Sequence, residues 1–269
     1  MFALAEQVAR RFVEARLSAK ALGDYPGPMP DDLQSAYAIQ EAAIALWPDK
    51  IAGWKVGRIN PPDSDKYGEI RLAGPIFARA VFKASHGVVD FPVFAGGFAA
   101  VEAEYVFEIG EDAPAQKTDW SLADAEAIAE RLFVGIETAG SPLATINALG
   151  PTVVISDFGN NAGLILGTEV TDWRARDLMA LSCETFVNGI SVGRGSAGLL
   201  PGGPIEALRF TAQHCARRGR PLAKGTLVST GAATGIHDLI PGDTARVEFA
   251  GIGHIESRAV PMRPARIAD

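Results

Sequence analysis

Three glutamates at even spacing mark the stretch VEAEYVFEIG: Glu102, Glu104 and Glu108. The segment has the composition of a β-strand, and side chains two apart on a strand share a face. Glu102 and Glu104 therefore lie together, while Ala103, Tyr105 and Phe107 supply the apolar side. Two carboxylates roughly 7 Å apart repel in a dry pocket but suit a hard divalent cation, because magnesium, manganese and calcium prefer oxygen ligands. An amphipathic strand with its polar face in water gives the same pattern. A further acid bears on the choice. In RLFVGIETAGSP the apolar run Leu132–Ile136 ends in Glu137. A buried, unpaired carboxylate there is expensive or takes up a proton; at a strand end it can also stand in solvent. Together Glu102, Glu104 and Glu137 form an all-carboxylate set that leaves positions on a cation for water or substrate.

Lys55 follows Trp54 in an apolar segment bracketed by Gly53 and Gly57. Such a lysine compensates an anionic ligand, or moves protons if burial lowers its pKa. With its head at the rim it is simply solvated.

The elements that would position these groups follow from periodicity. Two helices open the chain, Leu4–Ala19 and DDLQSAYAIQEAAIALW. The second starts with Pro30, Asp31 and Asp32 and carries Ala36, Ile39, Ala43, Leu46 and Trp47 at helical spacing. Short apolar runs divided by Gly, Pro and Asp then predict strands at Ile51–Val56, Ala100–Ile109, Leu132–Glu137, Ala162–Leu166, Leu181–Val187, Thr226–Ser229, Thr244–Phe249 and His254–Val260. Two more helices interrupt them, SLADAEAIAERL and GPIEALRFTAQHCARRG. Without regular βα alternation this is an α+β chain rather than a doubly wound sheet. We expect a helical region over 1–70 and a mostly β body over 71–269. The glycine-rich 189–203 lacks a phosphate-loop Lys-Ser/Thr and predicts a loop. His214 and Cys215, adjacent on a helix, diverge and make no dyad.

The bulk properties exclude several classes. The 269 residues suffice for a sizeable core, and 48% hydrophobic with 21% charged residues argues against disorder. A formal charge of −7 without a basic run makes nucleic acid an unexpected partner. Cys183 and Cys215 form no zinc-type cluster, and no run has signal-peptide or membrane-spanning character, so a reduced cytoplasmic setting is expected.

With GWKVG ahead of VEAEYVFEIG, then GIETAGSP, then GTLVSTGAATGIHDLIPGDTARVEFAGIGHI, the order of motifs resembles the 2-keto-4-pentenoate hydratases of the fumarylacetoacetate hydrolase-like superfamily, over most of the chain. The resemblance implies a mixed β-roll of the fumarylacetoacetase C-terminal-like type with a small helical N-terminal region. It implies Mg²⁺ or Mn²⁺ held by Glu102, Glu104 and Glu137, and it leaves Glu108 without a role, so that Glu108 is read as solvated. Lys55 matches the family's lysine in G-[YW]-K-[IV]-G, and Thr230 and Gly231 match a Ser/Thr-Gly pair near the ligand. Gly231 and Gly235 permit turns whose free N–H groups or hydroxyls could hold a carboxylate. Pro241, Gly242 and Asp243 have turn chemistry. His237 is either a base or a loop residue in solvent.

Two departures stand out. The hydratases carry an aspartate pair in YG-x-x-x-DD; here KYGEIRLAGPIF keeps Tyr67 and Gly68 but has Leu72 and Ala73. Glu69 is the group expected to take over proton transfer. Arg71 is either a contact for an additional substrate carboxylate, which arginine binds bidentately, or a surface residue. In SDFGNNAG, Asp157 matches the family's ADNASS-like segment while Asn160 and Asn161 replace serines.

The expected function is a metal-dependent hydratase adding water to a small unsaturated 2-oxo acid such as 2-hydroxypenta-2,4-dienoate, with the metal as Lewis acid. The alternatives are decarboxylation of a 2-oxo-enedioate, hydrolysis of a C–C bond in an acylpyruvate, or a non-catalytic partner subunit. The resemblance also implies a homo-oligomer and admits a complex with a related decarboxylase or aldolase.

Overall fold

The computed structural model describes residues 2–84 and 87–265. Helix α1 (Phe2–Leu17) lies against α2 (Leu33–Leu46). Asp32 caps α2, its carboxylate accepting from Ser35 N at 2.7 Å, which satisfies one of the N–H groups a helix start leaves free. Of the stripe that the spacing predicted, Ala36, Ile39 and Ala43 are buried, joined by Ile44, while Leu46 and Trp47 are half-buried at the helix end.

The chain continues through β1 (Ile51–Arg58), the short α3 (Asp63–Tyr67), β2 (Arg71–Phe77), β3 (Val81–Lys83), β4 (Val89–Val93) and β5 (Phe98–Ile109). Then come α4 (Leu122–Ile128), β6 (Ala129–Ser141), α5 (Pro151–Ser156), β7 (Asn161–Glu169), β8 (Ser182–Val187), β9 (Ile190–Ser196) and α6 (Gly203–Arg217). Strands β10 (Leu227–Ser229), β11 (His237–Asp238), β12 (Thr244–Phe249) and β13 (Gly253–Pro261) complete it.

One sheet runs β2-β1-β10-β5-β6-β7-β3, with β11 added on β5; the other runs β4-β13-β12-β8-β9. Both mix orientations: β1–β10, β3–β7 and β4–β13 are parallel, and the remaining pairs antiparallel. The larger sheet curls so that β2 also meets β7. This is the α+β organisation with a mixed β-roll. β1, within the first seventy residues, is a full member of the roll, bonded to β2 and β10.

The faces of β5 explain its composition. Tyr105 packs edge-on to Phe249 of the second sheet, and Phe107 does the same to Trp173. This is the face of the main core, where full burial of a side chain such as Phe107 contributes about 1.5–3 kcal/mol. The opposite face, inside the curl, carries Val106 with Ile76, Phe133, Leu164 and Leu227 in a small apolar plug. Glu102 and Glu104 share that inner face.

Sequence reasoning misses the short α3, β3, β4, α5 and β11, and three further segments differ from expectation for a physical reason. RLAGPIF is a strand, entirely buried, although Gly74 and Pro75 argue against one. It is an edge strand of its sheet, where proline is tolerated, and at Gly74 a Cβ would collide with the Phe158 carbonyl. ISVGRGS is β9, an edge strand rather than a loop; a Cβ at Gly193 would lie 2.6 Å from the His237 ring. Helix α4 stops at Ile128 instead of running to Leu132. Ala129–Leu132 are drawn into pairing with β5, with Leu132 opposite Phe107 and Arg131 opposite Glu108. Tertiary pairing here overrides a weak local propensity.

Candidate metal and substrate site

β5 and β6 pair so that Glu102 stands opposite Glu137. Glu102, Glu104 and Glu137 are all buried, and one oxygen from each lies within 4.8 Å of the others. Their partners are few. Gly231 N donates to Glu104 Oε2 at 2.6 Å, and Asn161 Nδ2 donates to Glu137 Oε1 at 3.1 Å. Glu102 Oε1, Glu104 Oε1 and Glu137 Oε2 are buried with no hydrogen-bond partner. Glu108 is not simply solvated: it takes a bidentate contact from Arg131 at 2.7 and 2.8 Å.

Lys55 enters from β1, also buried, its Nζ 3.3 Å from Glu137 Oε1 and donating to Asn160 Oδ1 at 3.0 Å. Three carboxylates and one ammonium leave two negative charges uncompensated. Taking an ion out of water costs several kcal/mol, so this cluster opposes folding unless a positive charge joins it. The carboxyls register the imbalance. Burial, then Glu137, push Glu102 up to about 8 against the pull of Lys55. Burial holds Glu104 well above the usual carboxylate range, and Glu137 and Glu102 add to it. Burial also raises Glu137, with Lys55 and Asn161 pulling it back. For Lys55, burial alone would lower the ammonium's pKa, but the three glutamates outweigh that and hold it above the ordinary lysine value. A lysine with a lowered pKa, one expectation from the sequence, is not what the geometry produces. The donor set fits a hard divalent cation: all oxygen, anionic, with three partnerless oxygens converging.

The amides that grip this cluster come from a corner between α5 and β7. Phe158, Gly159 and Asn160 are all left-handed, with φ of 56°, 64° and 56°, uncommon for the two non-glycine residues. Arg16 of α1 pins the corner from behind. Its Nε and Nη2 reach Asp157 at 2.5 and 3.0 Å, and it donates to the carbonyls of Asn161 and Gly140, each at 3.0 Å. Asp157, matched by the resemblance, therefore braces the site from outside it.

A cavity of about 640 Å³ opens onto the cluster, bordered by Lys55, Glu102, Asn160, Thr230 and Gly231. Thr230 spends its hydroxyl proton on Tyr105 O at 2.8 Å. Gly231, at φ 119°, gives its N–H to Glu104, so that group is not free for a ligand carboxylate. Arg71 is no surface residue: it is buried in the cavity wall, donating to Pro201 O and lying 3.7 Å from Glu206. Glu69 is exposed and outside the wall. The wall instead holds Asp63, Arg58 and Asn147. Asp63 lies outside every motif that the sequence marks as functional. His237, half-buried and 3.1 Å from Thr234 Oγ1, is not in the wall. Asp243 is structural as expected, accepting from Ile240 N at 2.8 Å.

The model for the fumarylacetoacetate (FAA) hydrolase C-terminal family matches residues 117–260. The chain belongs to that family. The match takes in Glu137, Thr230 and Gly231 but begins after Glu102 and Glu104. Among curated relatives, the 2-keto-4-pentenoate hydratase of Paraburkholderia xenovorans (strain LB400) is 25% identical over 259 residues, covering 94% of this chain and 93% of that one. A 4-oxalocrotonate decarboxylase of Pseudomonas sp is 26% identical over 255 residues, covering 93% and 95%. Among solved structures, 4-oxalocrotonate decarboxylase from Pseudomonas putida G7, complexed with magnesium and adipate, superposes with a TM-score of 0.79. It is 22% identical and covers 97% of this chain and 98% of that one. Relatives of such different activity fix the superfamily and leave the reaction to the site's chemistry. Among the described residues no helix is long and apolar enough to cross a membrane.

Proposed function

We propose that this chain is a divalent-metal-dependent hydratase that adds water to a small unsaturated 2-oxo acid such as 2-hydroxypenta-2,4-dienoate. The observation that carries the reading is the trio of buried glutamates, each with a partnerless oxygen, beside a buried ammonium at a cavity. Glu102, Glu104 and Glu137 would hold Mg²⁺ or Mn²⁺. When bound, the ion supplies Lewis-acid polarisation of a 2-oxo acid's oxygens.

Lys55 keeps a proton and a positive charge at the inner end of the cavity, with Asn160 and Glu137 fixing the direction of its Nζ. Thr230 borders the place where the acid would lie, and Gly231 orients Glu104. Asp63 is the wall carboxylate available to take a proton from water, the part for which Glu69 is badly placed. Arg71 offers a guanidinium to an anionic substrate. The similarity to relatives named 2-keto-4-pentenoate hydratase supports a cytoplasmic setting.

A second reading, decarboxylation of a 2-oxo-enedioate, is favoured by Leu72 and Ala73. Both are buried and apolar at the positions where the hydratases carry acids, with no proton to exchange. The deciding assay follows the ultraviolet absorbance of freshly generated 2-hydroxypenta-2,4-dienoate with Mg²⁺ and with EDTA. Metal-dependent conversion to 4-hydroxy-2-oxopentanoate, abolished in Glu102→Gln, is expected. An untouched dienoate beside metal-dependent release of CO₂ from a 2-oxo-enedioate would replace hydration by decarboxylation, and undiminished turnover in Glu102→Gln would sink both.

A further inference from the structure

Lys55 Nζ stands between two kinds of acceptor, and it stands nearer the weaker one. The neutral amide oxygen of Asn160 is 3.0 Å away, the carboxylate Oε1 of Glu137 3.3 Å. An ammonium that settles on a carboxylate closes to about 2.7–2.9 Å, and the trio of glutamates offers three partnerless oxygens to close on. Something draws the head group back.

The neighbouring amides do this. An ammonium only donates, so the atom that Asn160 turns to Lys55 is its oxygen; the flipped amide would set NH₂ against NH₃⁺. Its Nδ2 then faces away from the lysine and donates to Asn147 Oδ1 at 3.0 Å. By the same rule Asn147 meets that donor with its oxygen. The two amide dipoles run head to tail with their negative ends toward Lys55, an arrangement in which each bond strengthens the next. Asn147 lies in the turn between β6 and α5, held by the buried Ile146 and by Gly150 N, which donates to the Asn147 carbonyl at 3.3 Å. Its side chain is exposed at the border of the cavity. On the other side, Asn161 Nδ2 donates at 3.1 Å to the same Glu137 oxygen that faces Lys55, so that oxygen is partly satisfied without the lysine.

We propose that Asn147 is a positioning residue which, through Asn160, holds Lys55 off the carboxylate trio and so keeps Glu102, Glu104 and Glu137 open to a divalent cation. With the outer amide removed, Asn160 loses its anchor, and the ammonium moves onto the carboxylates and competes with the metal ion. This rests on the reading of the trio as a cation site and is independent of which 2-oxo acid binds or which bond changes. The competing role for Asn147 is a plain brace of its turn.

The test is calorimetric titration of the whole chain, stripped with EDTA, with Mn²⁺ alone. Asn147→Leu, close in size but without an acceptor, should weaken Mn²⁺ binding about three- to tenfold, at or below the lower end of the loss seen for groups that touch a metal ligand directly. Its metal-free melting temperature should stay within about 2 °C of the parent or rise, because the released ammonium settles on the carboxylates. In a Lys55→Met background the same substitution should change Mn²⁺ affinity by less than about twofold, since the group through which it acts is gone. Parental affinity in Asn147→Leu overturns the proposal. So does a loss of affinity accompanied by a lower metal-free melting temperature, the signature of a brace, and so does a loss that persists in the Lys55→Met background. If Lys55→Met does not fold, affinity and melting temperature of Asn147→Leu carry the test together. A parent that binds no Mn²⁺ removes the cation site itself, and this inference falls with it.

Discussion

Acids occur on strands in two parts of this molecule, and they are held in opposite ways. On the second sheet, β12 alternates exposed and buried residues along its length, and the exposed acids have arginines of their own. Arg246 reaches Glu248 at 2.9 Å and Glu256 at 3.4 Å, Arg258 pairs with Asp90 at 2.8 Å, and Arg194 with Glu184 at 2.9 Å. Inside the roll, three glutamates share a single lysine and keep three oxygens unpartnered. On the second sheet the acids come one to a strand, Glu248 and Glu256 each two residues from an arginine, whereas inside the roll Glu102 and Glu104 are two residues apart on one strand. The inventory of positive charge and the access of water differ too. A carboxylate row with its own arginines is a solvated face, and a buried row short of cations is a receptor for one.

Removing a ligand from the inner row should have the largest effect. Glu104→Gln is expected to lower Mg²⁺ or Mn²⁺ affinity more than about a hundredfold, since even outer partners of metal ligands cost ten- to a hundredfold; direct titration of the cation reads this. Glu256→Gln, its counterpart on the outer row, should leave cation affinity unchanged. If both variants bind cations like the parent, the contrast between the rows is false.

The second effect is on pH dependence. In EDTA, Glu102 is raised from 4.5 to about 8 on folding, so the native state binds more protons than the unfolded chain between those values. Its contribution to stability is complete below about pH 4.5 and is lost as pH rises through about 8. Melting temperature without metal should therefore fall between pH 5 and 8. With excess Mg²⁺ the trend should flatten or reverse, because cation binding requires the deprotonated ligands. A metal-free protein that gains stability over that range would contradict the buried, undercompensated cluster.

The smallest effect belongs to the outer row. Arg246→Ala should shift the melting temperature by less than about 2 °C, because exposed ion pairs are weak and screened. A large drop would mean that the outer pairs bear more of the fold than their exposure allows.

The same contrast explains what the sequence discloses. The alternation in VEAEYVFEIG identifies Glu102 and Glu104 as neighbours on one face but is silent on water, so the wet and the metal-binding readings both fit until the pairing of β5 with β6 brings Glu137 opposite Glu102. The capped helices and the long strands are legible because local chemistry and tertiary placement agree there. RLAGPIF and ISVGRGS are not, because their glycines and proline serve close approach and edge positions, which a propensity reads as breaks. Glu69 stands out in the sequence only by its nearness to the missing aspartates; Asp63, six residues earlier, borders the cavity because the chain turns through α3. Asn160 and Asn161 announce nothing by type and become meaningful only where the left-handed corner aims one at Lys55 and the other at Glu137.

That corner also sets an order of events. Arg16 and Asp157 are separated by 141 residues, so during synthesis the first helix must wait through more than half of the chain for the partner of its guanidinium. Contacts this distant in sequence form slowly and late. Until that pair closes, the asparagines that grip Lys55 and Glu137 have no fixed backing. Strands β10, β12 and β13 are synthesised later still, so the backing of the site and the roll around it would close together, and a fully formed carboxylate cluster would be among the last features to mature.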